Sequence, residues 1–84
     1  MLSFVVQLEV RHPRDGRWWP AVRYDTAHGF AHRHQLHPDS TSEKTPLAIE
    51  EYGQALNHAE ADLQDHWQAY RQRFLEELDH EERS

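Results

Sequence analysis

The chain has no cysteine among its 84 residues, which excludes disulfides and thiolate metal sites at once. A domain this short buries only about 60% of the surface its unfolded chain exposes. With disulfides gone, a metal or a second protein chain is the usual source of extra stability at this size. No apolar run approaches the roughly 18 residues needed to span a bilayer. The opening Met1-Leu2-Ser3-Phe4-Val5-Val6-Gln7-Leu8 carries no basic leader and alternates in polarity, unlike a secretory signal. The expectation is a soluble, cytoplasmic protein without membrane association, folded as one domain over residues 1–84.

Basic charge is also in short supply. Net charge is −6, which argues against a general nucleic-acid coat. The balance is uneven along the chain. Residues 1–38 hold five arginines against Glu9, Asp15 and Asp25, together with five of the eight histidines. Residues 39–84 hold four basic groups against twelve acids. The first half therefore attracts anions and the second repels them.

Leu2, Phe4, Val6, Leu8 and Val10 alternate with residues that are mostly polar, which predicts a strand with one face in a core. His12-Pro13-Arg14-Asp15-Gly16 supplies turn residues, proline presetting φ and Asp-Gly tolerating positive φ. A second strand follows, with Trp18, Val22 and Tyr24 on one side and Trp19, Ala21, Arg23 and Asp25 on the other. Pro20 cannot donate to a ladder and marks a bulge or an unpaired edge. Thr26-Ala27-His28-Gly29 makes the next turn. The third strand then carries Phe30, His32, His34 and Leu36 on one face and Ala31, Arg33, Gln35 and His37 on the other.

After a polar loop, the ladder Tyr52, Leu56, Ala59, Leu63, Trp67, Tyr70, Phe74 and Leu78 repeats at helical period. Thr45 before Pro46 reads as an N-cap with a first-turn proline, and Glu50 is an alternative start. The predicted class is α+β: a three-stranded antiparallel meander (about 2–11, 17–26 and 29–37) within residues 1–38, a loop over 39–45, and one long helix (about 47–81) within 46–84, packed on one face. A helix over 50–80 is roughly 45 Å long at 1.5 Å per residue, whereas a nine-residue strand spans about 30 Å. The overhang predicts a homodimer, with Trp67, Tyr70, Phe74 and Leu78 as its interface.

The hairpin from Arg23 to His37 is the one stretch chosen for more than folding. It gathers four histidines, two arginines, a tyrosine and an aspartate. Three readings compete. In the first, His32 and His34 project together from a strand and bind a divalent metal, with Asp25 or a helix glutamate as a third ligand. In the second, His28, His32 and His34 do acid–base chemistry on a phosphodiester that Arg23 and Arg33 hold, Tyr24 completing the site. In the third, the histidines are structural, packed beneath the helix with their free nitrogens on Glu60, Asp62 or another helix acid.

The run Arg23-Tyr24-Asp25-Thr26-Ala27-His28-Gly29-Phe30-Ala31-His32-Arg33-His34 resembles the R-[YF]-D-[NT]-A-H-G-x-x-H-x-H core of small prokaryotic proteins grouped with the TumE-like toxins. The resemblance implies a role in a toxin–antitoxin module, an antitoxin protein as partner and an RNA or translation target. The positions it carries over are Arg23, Tyr24, Asp25, His28, His32 and His34. The leading expectation is thus a toxin-module component acting through a His/Arg hairpin. The alternatives are a non-enzymatic homodimeric interaction module with structural histidines, and a protein holding a divalent metal on its histidines.

Overall fold

The structure, a computed structural model, describes residues 4–27, 30–49 and 51–83. Strands β1 (Val5–Arg11), β2 (Trp18–Ala27), β3 (Phe30–Leu36) and β4 (Ser42–Pro46) precede helix α1 (Tyr52–Arg83). The strands form one antiparallel sheet in the order β1-β2-β3-β4. The α+β class and the single long C-terminal helix are as the periodicity predicts, but the sheet has four strands rather than three.

The extra strand comes from residues read as a loop. Ser42-Glu43-Lys44-Thr45-Pro46 is exposed at every position, so it has no apolar alternation to betray it. Its ladder with β3 and the turn before it hold it in place. His37 N–H donates to Thr41 O at 3.0 Å, and Ser40 N–H to His37 O at 3.1 Å. Ser40 takes φ 74°, a left-handed conformation open to small polar residues in turns. Thr45 is therefore in a strand and caps nothing. The cap is Glu51, whose carboxylate accepts from the backbone N–H of Gly53 and of Gln54, both at 2.9 Å. Two of the helix's unpaired N-terminal donors are satisfied in this way.

From Phe4 through β1 the alternation is realised as read, with Leu2 outside the described residues: Phe4 and Val10 are buried, Val6 and Leu8 half-buried, Val5, Gln7, Glu9 and Arg11 exposed. The turn to β2 closes through His12 N–H to Arg17 O at 2.8 Å, with Gly16 at φ 74°, where glycine carries no side-chain penalty.

The bulge foreseen at Pro20 exists, and it reverses part of the facing pattern. Leu8 pairs with Val22 but Glu9 pairs with Pro20, so Ala21 is an extra residue in β2. Upstream of that insertion the parity flips. Trp19 joins Val22 and Tyr24 on the helix side, its ring 6.1 Å from that of Phe74. Trp18, expected inside, is 57% exposed.

The parity of β3 also differs from the expected one. Ala31 is buried against Ala55 and Ala59, and Arg33 reaches the helix. By strand alternation, His32 and His34 project from the outer face of the sheet, away from the helix. They do not pack beneath it.

The helix lies across β1 and β2 over two patches. One joins Phe4, Val22, Tyr24 and Ala31 to Ala55, Ala59 and Leu63; the other joins Val10 and Ala21 to Phe74 and Leu78. The last turns do not overhang. Phe74 and Leu78 are buried in the chain's own core, and Tyr70 is half-buried and hydrogen-bonded within the chain. Of the four residues assigned to a dimer interface, only Trp67 is exposed. The β1–β2 turn, through His12, and the bulge at Ala21 extend the platform under the helix end beyond the length of a single strand. Among the described residues no helix is long and apolar enough to cross a membrane.

Candidate functional site

The outer face of the sheet sets side chains in cross-strand rows. Gln7, Arg23, His34 and Lys44 are successive partners across β1 to β4, and Val5, Asp25, His32 and Pro46 form the next row. Side chains in such rows stand about 5 Å apart, so two cations flank His34. Asp25, on the adjacent row, reaches back: its Oδ1 is 3.2 Å from His34 Nε2, and its Oδ2 is 3.4 Å from Arg23 Nε. With Asp25 on Nε2, the other imidazole nitrogen of His34, Nδ1, is left for a ligand. His34 is 12% exposed and Arg23 37%, so the carboxylate–imidazole pair is sheltered while the guanidinium meets solvent.

The proposed hairpin constellation is thereby split by the sheet. Arg23, Asp25, His32 and His34 share the outer face, whereas Tyr24 passes to the helix side and is fully buried. His28 lies outside the described residues. Nor do His32, His34 and Asp25 make a metal centre. Among the described residues, no three histidine or carboxylate groups converge in a way that holds an ion. Asp25 is already engaged by His34 and Arg23.

On the helix side, Tyr24 enters a polar cluster centred on Asp62. Tyr24 Oη donates to Asp62 Oδ2 at 2.6 Å, and Tyr70 Oη to the same oxygen at 2.7 Å. His66 Nδ1 meets Asp62 Oδ1 at 3.0 Å, and Arg33 Nε stands 4.0 Å from Oδ2. The Arg33 guanidinium also lies over the Tyr70 ring, 5.1 Å from its centroid. Burial pushes the Asp62 pKa upward, but the phenol hydrogen bonds, Arg33 and His66 outweigh it and hold the carboxyl below its ordinary range. Burial, and then the bond to Asp62, pushes both Tyr24 and Tyr70 upward. Asp62 is thus a stable anion clamped by donors, which suits a structural lock better than a proton carrier.

Two further histidines tie sheet to helix. His12, the buried polar residue of the core, accepts from Arg14 N–H at Nδ1 (3.0 Å) and meets Glu82 Oε1 through Nε2 at 2.9 Å. Nδ1 therefore carries no hydrogen, and Nε2 is the donor. His37 meets Glu77 at 3.0 Å through Nδ1. His32 and His34, the histidines expected beneath the helix, are not there; those that reach the helix are His12 and His37. Sequence reading missed these two, as well as Lys44, Arg33 with Tyr70, and the role of His66. The spacing Asp62, His66, Tyr70, which places all three on one side of a helix, was the available signal.

No curated protein and no solved structure matches this chain. A family model covering residues 1–80 does match it, and the chain belongs to that family, the domain of unknown function DUF7718.

Proposed function

We propose that this protein is a component of a toxin–antitoxin-type module that acts on RNA through the outer face of its sheet. The observation that carries the reading is the Asp25–His34 pair, 3.2 Å apart, set in one cross-strand row with Arg23 and Lys44. The two cations hold a phosphate's non-bridging oxygens and stabilise charge that builds on them. His34, oriented by Asp25 through Nε2, takes the proton of a ribose 2′-hydroxyl at Nδ1. The 2′-oxygen then bonds to phosphorus, the bond from phosphorus to the 5′-oxygen breaks, and that oxygen takes a proton from water. An antitoxin protein and a cytoplasmic setting belong to the same reading.

The test is incubation of purified protein with end-labelled single-stranded RNA, beside the same RNA methylated at its 2′-oxygens. Cleavage of the first only, with products ending in a 2′,3′-cyclic phosphate and lost in His34→Ala, is expected. RNA left whole by the native chain, together with normal growth on induced expression in a bacterial host, would overturn the proposal.

A second reading, a non-enzymatic homodimeric interaction module with structural histidines, draws support from His12 and His37. Both are used to hold the helix on the sheet. Wild-type growth and RNA pools combined with a dimer in light scattering would favour it.

A further inference from the structure

His34 has a neighbour that the fold itself leaves without employment. His32 stands two residues before it on β3, so both imidazoles leave the outer face of the sheet, about 7 Å apart at Cα. His32 pairs across the strands with Asp25, but that carboxylate turns to His34 and Arg23 instead. His32 is left half-buried, its Nδ1 shut away from solvent and without a hydrogen-bond partner. Arg23 Nε, on the same face, is also buried and lacks one. Buried polar groups are nearly always paired, and an exception calls for an explanation, a catalytic role or a bound molecule among them. His12 and His37 each meet a helix glutamate; among the described residues His32 meets none.

The two rings are set up differently. Nε2 of His34 is on Asp25, which leaves Nδ1 with a lone pair, and Arg23 and Lys44 flank the residue in its row. The row of His32 holds no cation, since Val5, Asp25 and Pro46 complete it. With Nδ1 buried, Nε2 is the nitrogen of His32 left to meet a ligand. Displacement at phosphorus is in line, with the attacking and leaving oxygens on opposite sides. One imidazole cannot attend both oxygens at once. Two imidazoles a strand alternation apart can do so, with the phosphate between them.

We propose, resting on the RNA reading of this face, that His32 is the general acid of the same reaction and gives its Nε2 proton to the leaving 5′-oxygen in place of water. His34 Nδ1 takes the proton of the 2′-hydroxyl, and the 2′-oxygen bonds to phosphorus. The bond from phosphorus to the 5′-oxygen breaks as the proton of His32 reaches that oxygen. The products are a 2′,3′-cyclic phosphate and a 5′-hydroxyl. His34 ends protonated and His32 neutral, and proton exchange with water restores both. Imidazole suits either role because its ordinary titration range includes neutral pH.

The probe is a single-stranded RNA with one linkage whose bridging 5′-oxygen is replaced by sulfur, beside the same RNA with oxygen there. A thiol ionises at about pH 8.5, so the sulfur leaves without a donated proton, whereas the 5′-oxygen needs one. His32→Ala and His32→Gln should cut the ordinary linkage about a hundredfold more slowly but the sulfur linkage at close to the native rate. His34→Ala, which lacks the base, should be slow on both. Cutting of the sulfur linkage also shows that the His32 variants are folded, and glutamine keeps a polar side chain at the half-buried position. Equal slowing of both linkages in the two His32 variants, or ordinary RNA cut at the native rate without His32, would overturn the proposal and leave the RNA reading in place. A native chain that cuts neither linkage would overturn both.

Discussion

Tyr24 and Asp62, thirty-eight residues apart, meet at 2.6 Å between the middle of the sheet and the third turn of the helix. The bond fixes helix register as well as position, because Tyr70, two turns on, donates to the same carboxylate. Removing the acceptor leaves two phenol hydroxyls and Arg33 without their shared partner. Asp62→Ala should therefore cost about 2–4 kcal/mol of unfolding free energy. Asp62→Asn, which retains one acceptor oxygen, should cost less. Urea titrations of the two variants check the order; equal losses would show that the charge alone matters.

The same cluster gives stability a pH dependence at both extremes. Asp62 is held below its ordinary range, so its contribution is present above the unfolded carboxyl value near 4 and fades as pH falls through the folded one. Tyr24 and Tyr70 are held above 10. Their contribution is complete below pH 10 and is lost as pH rises beyond it, since only the unfolded chain ionises readily there. Melting temperatures measured across pH should fall at both ends. Tyr24→Phe should flatten the alkaline limb.

Phe74 decides where the helix's apolar stripe is spent. It is completely buried, against Val10, Ala21 and Trp19. Phe74→Ala should cost about 3–5 kcal/mol, enough to unfold much of a domain this small at 37 °C. Phe74→Leu should lose far less. Trp67→Ala, at an exposed position, should barely alter the urea midpoint. An inverted ranking of Phe74 and Trp67 would show that the helix end packs on something other than its own sheet.

The elements most legible in the sequence were those whose burial is one-sided. The alternation from Phe4 to Val10 and the helical ladder through Leu63, Phe74 and Leu78 are consequences of facing a core, so they could be read without one. β4 has no buried side and left no trace in the pattern. The bulge was legible from Pro20, but its effect was not: which residue is inserted depends on how β1 pairs, and one extra residue exchanges Trp18 with Trp19. The site was half legible for the same reason. Composition picked out Arg23, Asp25, His32 and His34, and period-two alternation then placed Tyr24 on the other face. Lys44, their neighbour across the sheet, was hidden because its strand was hidden.

His12 holds the far end of the helix. Its Nε2 reaches Glu82 while Nδ1 accepts from the Arg14 backbone, so one ring joins the β1–β2 turn to the last helical turn. His12→Ala should lose about 1–2 kcal/mol and speed hydrogen exchange selectively after Leu78. Helix ends fray first when tertiary contacts are removed. Uniformly faster exchange along the whole helix would instead show that the residue supports the entire core.

Asp25 is the position at which binding and chemistry on the outer face can be separated. In Asp25→Asn the amide keeps the size of the carboxylate but no longer fixes one imidazole tautomer of His34. It also frees Arg23 from its 3.4 Å charge contact. Under the proposed RNA chemistry, cleavage should fall by about a hundredfold, the usual worth of a positioned acid–base group. Affinity for single-stranded RNA should hold or rise, because a cation has been released. Arg23→Ala and Lys44→Ala should do the reverse, weakening binding in a salt-dependent manner, each contact lowering the salt slope by about 0.7. Filter binding and single-turnover cleavage on the same RNA distinguish the two effects. A loss of affinity in Asp25→Asn equal to its loss of cleavage would show that the carboxylate shapes the surface and takes no part in proton transfer.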